Sequence, residues 1–380
     1  MDDLELHAHL IGQQGSRAAL NTPVLVLDID QLDRNIATMQ ALADAHDVAL
    51  RPHAKTHKSV DIARRQVAAG AVGLCCAKIG EAEVLADGGI MGLLITSPVA
   101  APMAIERLAA LARRSAGLMA AVDNPDVLAR MQHALAGKGA TLDVVIDIDP
   151  GIRRTGVSSP EAAVALADAI ATCDAITLRG VQYYCGIQQH IEDYDTRRAA
   201  IVERTEYLHS VIDALTIAGY PPEIVTGSGT GTHRIDLDLG IFTELQAGSY
   251  AFMDKQYLDC DLAGDGGQAF APSLSVDARV VSANHAALVT IDAGFKSLST
   301  DGGMAQVRDG ASPDTMFVFM GDEHAALVAP GIGETLRPGD LVSLTVPHCD
   351  PTVNLYDHYH VVRGDTLTAI WQVSARGRAR

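Results

Sequence analysis

The sequence predicts a closed (β/α)8 barrel followed by a C-terminal antiparallel β domain. Short β-rich runs alternate with longer Ala-rich amphipathic stretches from about residue 22 to residue 260, with no pause in the middle. The strand runs are apolar nearly throughout, as in an all-parallel sheet covered on its outer face. Beyond residue 260 the texture changes to alternating runs broken by Gly, Pro, Asn and Asp, the pattern of antiparallel sheet.

Taken in order, "VLVLDI" precedes a helix from about Gln31 to Ala45, and "VALRP" precedes one starting near Val60. "GLCCA" leads into "KIGEAEVLADGG", whose Gly-Gly ends that helix, and "GLLIT" leads into a helix around Ala104–Arg114. "GLMAAV" feeds a helix opened by "DNPD", and "LDVVIDI" feeds one capped near Ser159 and started by Pro160. "ITLRGVQYY" precedes a long helix from about Tyr194 to Gly219, and "PEIVTGSGTG" makes the eighth strand. The later runs "SLSVDARVVSAN", "HAALVTIDAG", "TMFVFM", "DLVSLTVPHC" and "YHVVRGDTLTAIWQVSA" build the β domain. The division expected is therefore 22–260 for the barrel and 261–380 for the β domain, with residues 1–21 packing on the latter. No low-complexity linker separates the two, and nothing repeats at solenoid period.

Composition excludes several function classes. With 47 acidic and 29 basic residues, a formal net charge of −18, the field of the whole chain repels polyanions, so no nucleic-acid partner is expected. The first residues open acidic without an apolar run, so no signal peptide is expected. No stretch of about 18 apolar residues occurs, so no membrane span is expected. The six cysteines have no regular spacing and read as reduced cytoplasmic thiols.

Against that acidic background, "RPHAKTHK" at residues 51–58 concentrates basic groups just beyond the second predicted strand. Residues at the C-terminal ends of barrel strands face the active site. Lys55, flanked by His53, His57 and Lys58, has cationic neighbours that favour the neutral amine needed for a Schiff base. A solvated loop lysine is the bland alternative, and it weakens only because further parts of a site can be found. The glycines of "VTGSGTGTH" at residues 225–233 let backbone N–H groups converge on an anion, although a Gly-rich turn alone is more often a tight turn. It is neither a Walker loop nor a dinucleotide fingerprint. A Schiff-base lysine together with a phosphate cradle suggests pyridoxal phosphate. The third part is "VPHCDPTVNLYDHYH" at residues 346–360, where His348 and Asp350 on a strand point to one face and Cys349 to the other. His plus carboxylate suits a divalent ion such as manganese, cobalt or magnesium; a thiolate would favour zinc. A polar strand end is the alternative for an isolated H-x-D.

In their order, "RPHAKTHK", "TGSGTGTH", "TELQAGSYAFMD" and "PHCDPTVNLYD" resemble the D-threonine aldolases of the alanine-racemase-like, type III pyridoxal-phosphate enzymes. The resemblance runs from about Thr22 to the "VSARG" near the C-terminus, and D-3-hydroxyaspartate aldolases look very similar. It implies a barrel of the alanine-racemase type with a β domain, pyridoxal 5′-phosphate and a divalent metal. It implies that Lys55 carries the cofactor and that Arg154 faces the pyridine nitrogen, where it cannot give up its proton. Gln182 and Tyr184 match ring-side residues. Thr226, Gly229, Thr230 and Gly231 match the phosphate cradle, and Gly248, Ser249 and Tyr250 its second loop. His348 and Asp350 match the metal pair, with Asp322 near it. Where aldolases of this family read Tyr-His-Gly, this chain has Tyr184-Cys185-Gly186.

The reaction implied is retro-aldol cleavage of a D-3-hydroxy-α-amino acid to glycine and an aldehyde, with His53, His57 or a metal-bound hydroxide taking the β-hydroxyl proton. A metal-dependent D-3-hydroxyaspartate or D-serine dehydratase, giving a 2-oxo acid and ammonia, is the alternative. A metal-free racemase would lack the H-x-D pair, and a non-catalytic pyridoxal-phosphate carrier would lack the β domain. Enzymes of this type commonly dimerise, so a homodimer is expected.

Overall fold

Eight short parallel strands curl into the barrel: β2 (Ala49–Leu50), β3 (Cys75–Cys76), β4 (Leu94–Ile95), β5 (Met119–Val122), β6 (Leu142–Ile148), β7 (Ile176–Tyr183), β8 (Ile224–Gly227) and β9 (Glu244–Leu245), after β1 (Val24–Asp28) earlier in the chain. Their order β2-β9-β8-β7-β6-β5-β4-β3 leaves β2 and β3 at the ends, and a parallel bridge between His53 and Cys75 joins them. Cys75, Leu94, Met119, Ala121 and Val145 form one buried cluster of the sheet. The β2–β9 seam is held by Arg51, whose guanidinium grips the Glu244 carboxylate with bonds of 2.9 and 2.7 Å. Both side chains are more than nine-tenths buried, and breaking such a pair on one side costs about 3–5 kcal/mol.

The computed structural model describes residues 2–380, in two compact units. One comprises residues 37–248, 260–267 and 377–380 and holds the barrel; the other comprises the described residues 2–36, 249–259 and 268–376 and holds a nine-stranded sheet. The second sheet runs through β10 (Leu274–His285), β11 (Leu288–Ile291), β12 (Gln306–Asp309), β13 (Met316–Phe319), β14 (Ala325–Val328), β15 (Leu341–Thr345), β16 (His358–Arg363) and β17 (Thr366–Gln372).

The first strand corrects the sequence expectation. β1 belongs to this second sheet, antiparallel to β10 (Val24 opposite Asp277) and parallel to β16 (Val26 opposite His360). The barrel keeps eight strands because Glu244–Leu245, within "TELQAGSYAFMD", supplies the last one. Val24 to Leu27 are all buried, and a continuous apolar run is what any doubly covered strand shows. The run says "buried strand" without saying in which sheet. Leu10 and Leu20 pack with Val24, Val26, Val362 and Leu367, so the N-terminal segment shares the core of the β unit.

The helices follow the local signals. Asn124 caps Pro125–Lys138, Ser159 caps Pro160–Ala171 and Asp193 caps Tyr194–Ile217, each side chain accepting an N–H of the first turn. No helix among the described residues is long and apolar enough to cross a membrane.

Candidate active site

Lys55 stands in the turn that follows β2, now the first barrel strand. Its Nζ lies 5.9 Å from the centroid of the Tyr184 ring, and the Arg154 guanidinium lies 5.7 Å from the same ring. Tyr184 therefore brings together three residues that are 30 or more positions apart in sequence. His53 accepts the Lys55 backbone N–H on Nδ1 at 3.3 Å, so a neutral His53 carries its proton on Nε2, 3.1 Å from Thr96 Oγ1. Lys58 is held left-handed, with φ +50°, and its ammonium pairs with Glu81 at 3.2 Å. His57 is fully buried; its Nδ1 accepts the Ser59 N–H and its Nε2 meets Gln66 Oε1. That geometry makes His57 a clamp of the loop rather than a proton acceptor at a substrate.

A floor of hydrogen bonds crosses the strand ends. Gln182 Nε2 donates to Thr96 O (2.8 Å) and to Asp147 Oδ1 (2.9 Å), and Gln246 Nε2 donates to Thr226 Oγ1 (3.0 Å) and Gln182 Oε1 (3.3 Å). Burial pushes the Asp147 carboxyl up to about 6, against hydrogen bonds from Gln182 and Thr155 that favour its charged form. Thr96, Asp147 and Gln246 were not singled out from the sequence. Thr96 closes "GLLIT" at a strand end, which is the one signal that could have found it.

The Gly-rich turn after β8 packs closely against Gln189. A Cβ on Gly229 would lie 2.4 Å from Gln189 Oε1, and one on Gly231 1.9 Å from the Gln189 carbonyl oxygen. Ser228 between the glycines is left-handed at φ +69°, the type of turn from which anion-binding nests are built. The Gly231 N–H is bonded to Gln189 Oε1 at 2.9 Å, so Gly231 serves by its missing side chain and not as an anion donor. Thr230 is buried, with its carbonyl held by His233 Nδ1 at 2.8 Å. Gly248 belongs to the barrel unit, where a Cβ would meet Thr56 Oγ1 at 2.7 Å and His53 O at 2.8 Å. Ser249 and Tyr250 belong to the β unit, both buried, with Tyr250 against Phe270. Cys185, the departure from the family's Tyr-His-Gly, is buried and its thiol is pushed up to about 12 by that burial. Its carbonyl accepts from Gln189 Nε2 at 3.2 Å, so the Tyr184–Gly186 loop is tied to the cradle.

In the β unit, the expected strand geometry of the metal pair is replaced by a helix. Cys349–Val353 is a short α-helix with His348 as its N-cap, so Cys349 and Asp350 are its first two residues. Pro351 is tolerated in a first helical turn, where its missing N–H costs no bond. Thr352 Oγ1 donates to His348 O at 2.8 Å. Cys349 is fully buried and its thiol contacts Asp350 Oδ1 at 3.4 Å. His348 Nδ1 lies 2.8 Å from Asp301 Oδ2. A proton fixed there leaves the Nε2 lone pair for a metal, the usual carboxylate–histidine arrangement. Asp322, the acidic neighbour expected from the sequence, is exposed and 3.7 Å from Lys296, and Asp301 is the carboxylate that meets His348.

A pattern described as "Alanine racemase, N-terminal domain" matches residues 27–256, and a serine dehydratase domain matches residues 273–362. The chain is 38% identical over 366 residues to a 3-hydroxy-D-aspartate aldolase of Paracoccus denitrificans (strain Pd 1222), covering 94% of this chain and 93% of that one. It is also 38% identical over 364 residues to a D-threonine aldolase of an Arthrobacter species, with 96% and 94% covered. The chain belongs to the D-threonine aldolase family. The aldolases of this family are carbon–carbon lyases, and their fold is that of alanine racemase. The crystal structure of D-threonine aldolase from Filomicrobium marinum superposes with a TM-score of 0.91 at 38% identity, covering 96% of this chain and 97% of that one. A D-threo-3-hydroxyaspartate dehydratase of Delftia sp. (strain HT23) is a further relative at 32% identity, with 78% and 77% covered.

Proposed function

We propose that the protein cleaves D-3-hydroxy-α-amino acids, D-threonine-like or bulkier or acidic, to glycine and an aldehyde, with pyridoxal 5′-phosphate and a divalent metal. The observation that carries this reading is the His348–Asp350 pair, with His348 oriented by Asp301 and Cys349 buried beside it. Bound at Lys55, pyridoxal phosphate supplies an electron sink for the pair left on Cα, and a divalent metal at His348 and Asp350 favours loss of the β-hydroxyl proton. Tyr184 sets Lys55 and Arg154 against one ring, and Gly229, Thr230 and Gly231 shape the phosphate end. His53 is committed through its nitrogens to the Lys55 backbone and Thr96, which makes it an orienting group.

Nitrogen and carboxylate donors without a thiolate favour manganese, cobalt or magnesium over zinc. The dehydratase reading is less well supported. Solved variants of the dehydratase replace a histidine and a cysteine two positions apart; here that spacing carries His348 and Asp350. Cys349 stands between them in sequence, fully buried. A homodimer is part of the proposal, and the exposed Phe295 ring, stacked on Phe319, is the kind of surface a second copy would cover. Six free thiols suit a cytoplasmic setting.

The test is metal removal combined with two variants. Chelation should abolish cleavage and manganese, cobalt or magnesium should restore it. Asp350→Ala should lower kcat/KM on the order of a hundredfold or more, the loss of several kcal/mol of metal-borne stabilisation. Cys349→Ala should stay within about tenfold of the parent. The reverse ranking would return the thiol to the metal and favour the dehydratase.

A further inference from the structure

"TELQAGSYAFMD" ends on a residue to which neither the barrel nor the metal pair has assigned a role. Asp254 is fully buried, and the residue before it, Met253, is held left-handed at φ +52°. A non-glycine residue there costs of order 1 kcal/mol or more and persists only when the surroundings require it. The Asp254 carboxylate reaches two helices at once. Oδ1 accepts the Tyr257 N–H at 3.2 Å, capping Lys255–Leu258, and Oδ2 accepts the Cys349 N–H at 2.8 Å. Cys349 N–H is the first orphan donor of the helix that carries Asp350, so Asp254 caps that helix from 95 residues away in sequence. Lys255 N–H also bonds Val346 O at 3.0 Å, fixing the two segments side by side.

No lysine or arginine among the described residues forms an ion pair with this carboxylate. The Cys349 thiol adds a weak hydrogen bond to the two backbone N–H groups, and a buried carboxylate met only by neutral donors lacks a full counter-charge. A dication held by His348 and Asp350 would complete the compensation. The other cluster of ligand-type groups is a weaker candidate. Asp3, His7 and His360 bring ligand atoms within 4.8 Å of one another. The Asn21 N–H donates to His7 Nε2 at 3.0 Å, which puts the His7 proton on Nδ1, the atom 2.8 Å from His360 Nε2. That pair is a filled hydrogen bond, not an open chelate.

We infer that Asp254 is a positioning residue for the metal pair, fixing the His348–Asp350 turn by its cap and strengthening cation binding by its buried charge. This rests on the metal reading proposed above. The outer partners of metal ligands are worth about 10–100-fold in affinity when removed. The experiment is equilibrium binding of manganese to the cofactor-loaded protein, read by the electron paramagnetic resonance of free Mn²⁺. The proteins are the parent, Asp254→Asn, Asp254→Ser (which keeps a helix-capping oxygen without the charge) and His348→Ala.

The expected result is a Kd about 10–100-fold weaker for both Asp254 variants, with far-UV circular dichroism and cofactor absorption unchanged. Variants that melt lower but, once folded, bind manganese within twofold of the parent would reduce Asp254 to a structural cap and overturn the inference. His348→Ala binding as tightly as the parent would overturn the metal pair itself, a separate failure. If neither Asp254 variant folds, hydrogen exchange on the parent decides. Manganese should slow exchange in residues 254–258 as well as in 348–353, and slowing confined to 348–353 would overturn the coupling.

Discussion

Acid should release the N-terminal segment from the β unit through one pair of histidines. His7 and His360 are both nearly fully buried, 2.8 Å apart through Nδ1 and Nε2. With the Asn21 N–H on His7 Nε2, the arrangement is complete only when both rings are neutral. Burial lowers the pKa of His360 from 6.5 to about 4, with His7 and His358 adding to the fall and Asp3 opposing it. Burial lowers His7 too, again against Asp3 and with His9. With the segment undocked, the histidine pair therefore binds more protons than when docked between pH 6.5 and about 4. Docking is undiminished above pH 6.5 and weakens as pH falls through that window. For His360 the fall amounts to about 3 kcal/mol at 1.36 kcal/mol per pH unit, of which about 2 kcal/mol is felt by pH 5. The assay is hydrogen exchange of residues 2–21, corrected for intrinsic rates, from pH 7.5 to 4.5. Protection in the parent should fall about tenfold per pH unit below 6, while His360→Gln, which cannot take up the proton, should show a flatter profile. A parent profile independent of pH, or an unchanged slope in His360→Gln, would show that the histidine pair does not control docking.

Two further outcomes test the cofactor site. Borohydride should fix the cofactor on Lys55 and Lys55→Ala should lose both the chromophore and turnover, read by peptide mass spectrometry; an adduct on Lys58 or Lys78 would contradict the assignment. Gly231→Ala places a Cβ 1.9 Å from the Gln189 carbonyl oxygen, so backbone must move at a cost of about 1–3 kcal/mol. Cofactor affinity by absorbance titration should fall accordingly, and parent-like affinity would show that Gly231 does not shape the cradle.

The candidate residues legible in the sequence are those whose proposed chemistry is carried by long local motifs. Lys55, the glycines at 227–231 and the His348–Asp350 pair each announce themselves by residue type and spacing. What stayed hidden depends on partners far away in sequence. Asp301 meets His348 across 47 positions and Glu244 meets Arg51 across 193; neither spacing leaves a local trace. β1 was misread because "VLVLD" is equally at home in either sheet. β9 escaped because two residues are too few to show a period. The strand geometry assumed for His348–Asp350 failed because Asp254, Ser299 and Thr352 anchor the turn as a helix start, and two of those three lie outside the motif.

The central claim is the bond that breaks. With D-threonine and with a D-3-hydroxyaspartate, manganese and the cofactor-loaded protein, products should be separated and quantified by chromatography. Glycine should appear in equal amount to acetaldehyde or glyoxylate. Ammonia in equal amount to a 2-oxo acid, with no glycine, would contradict it.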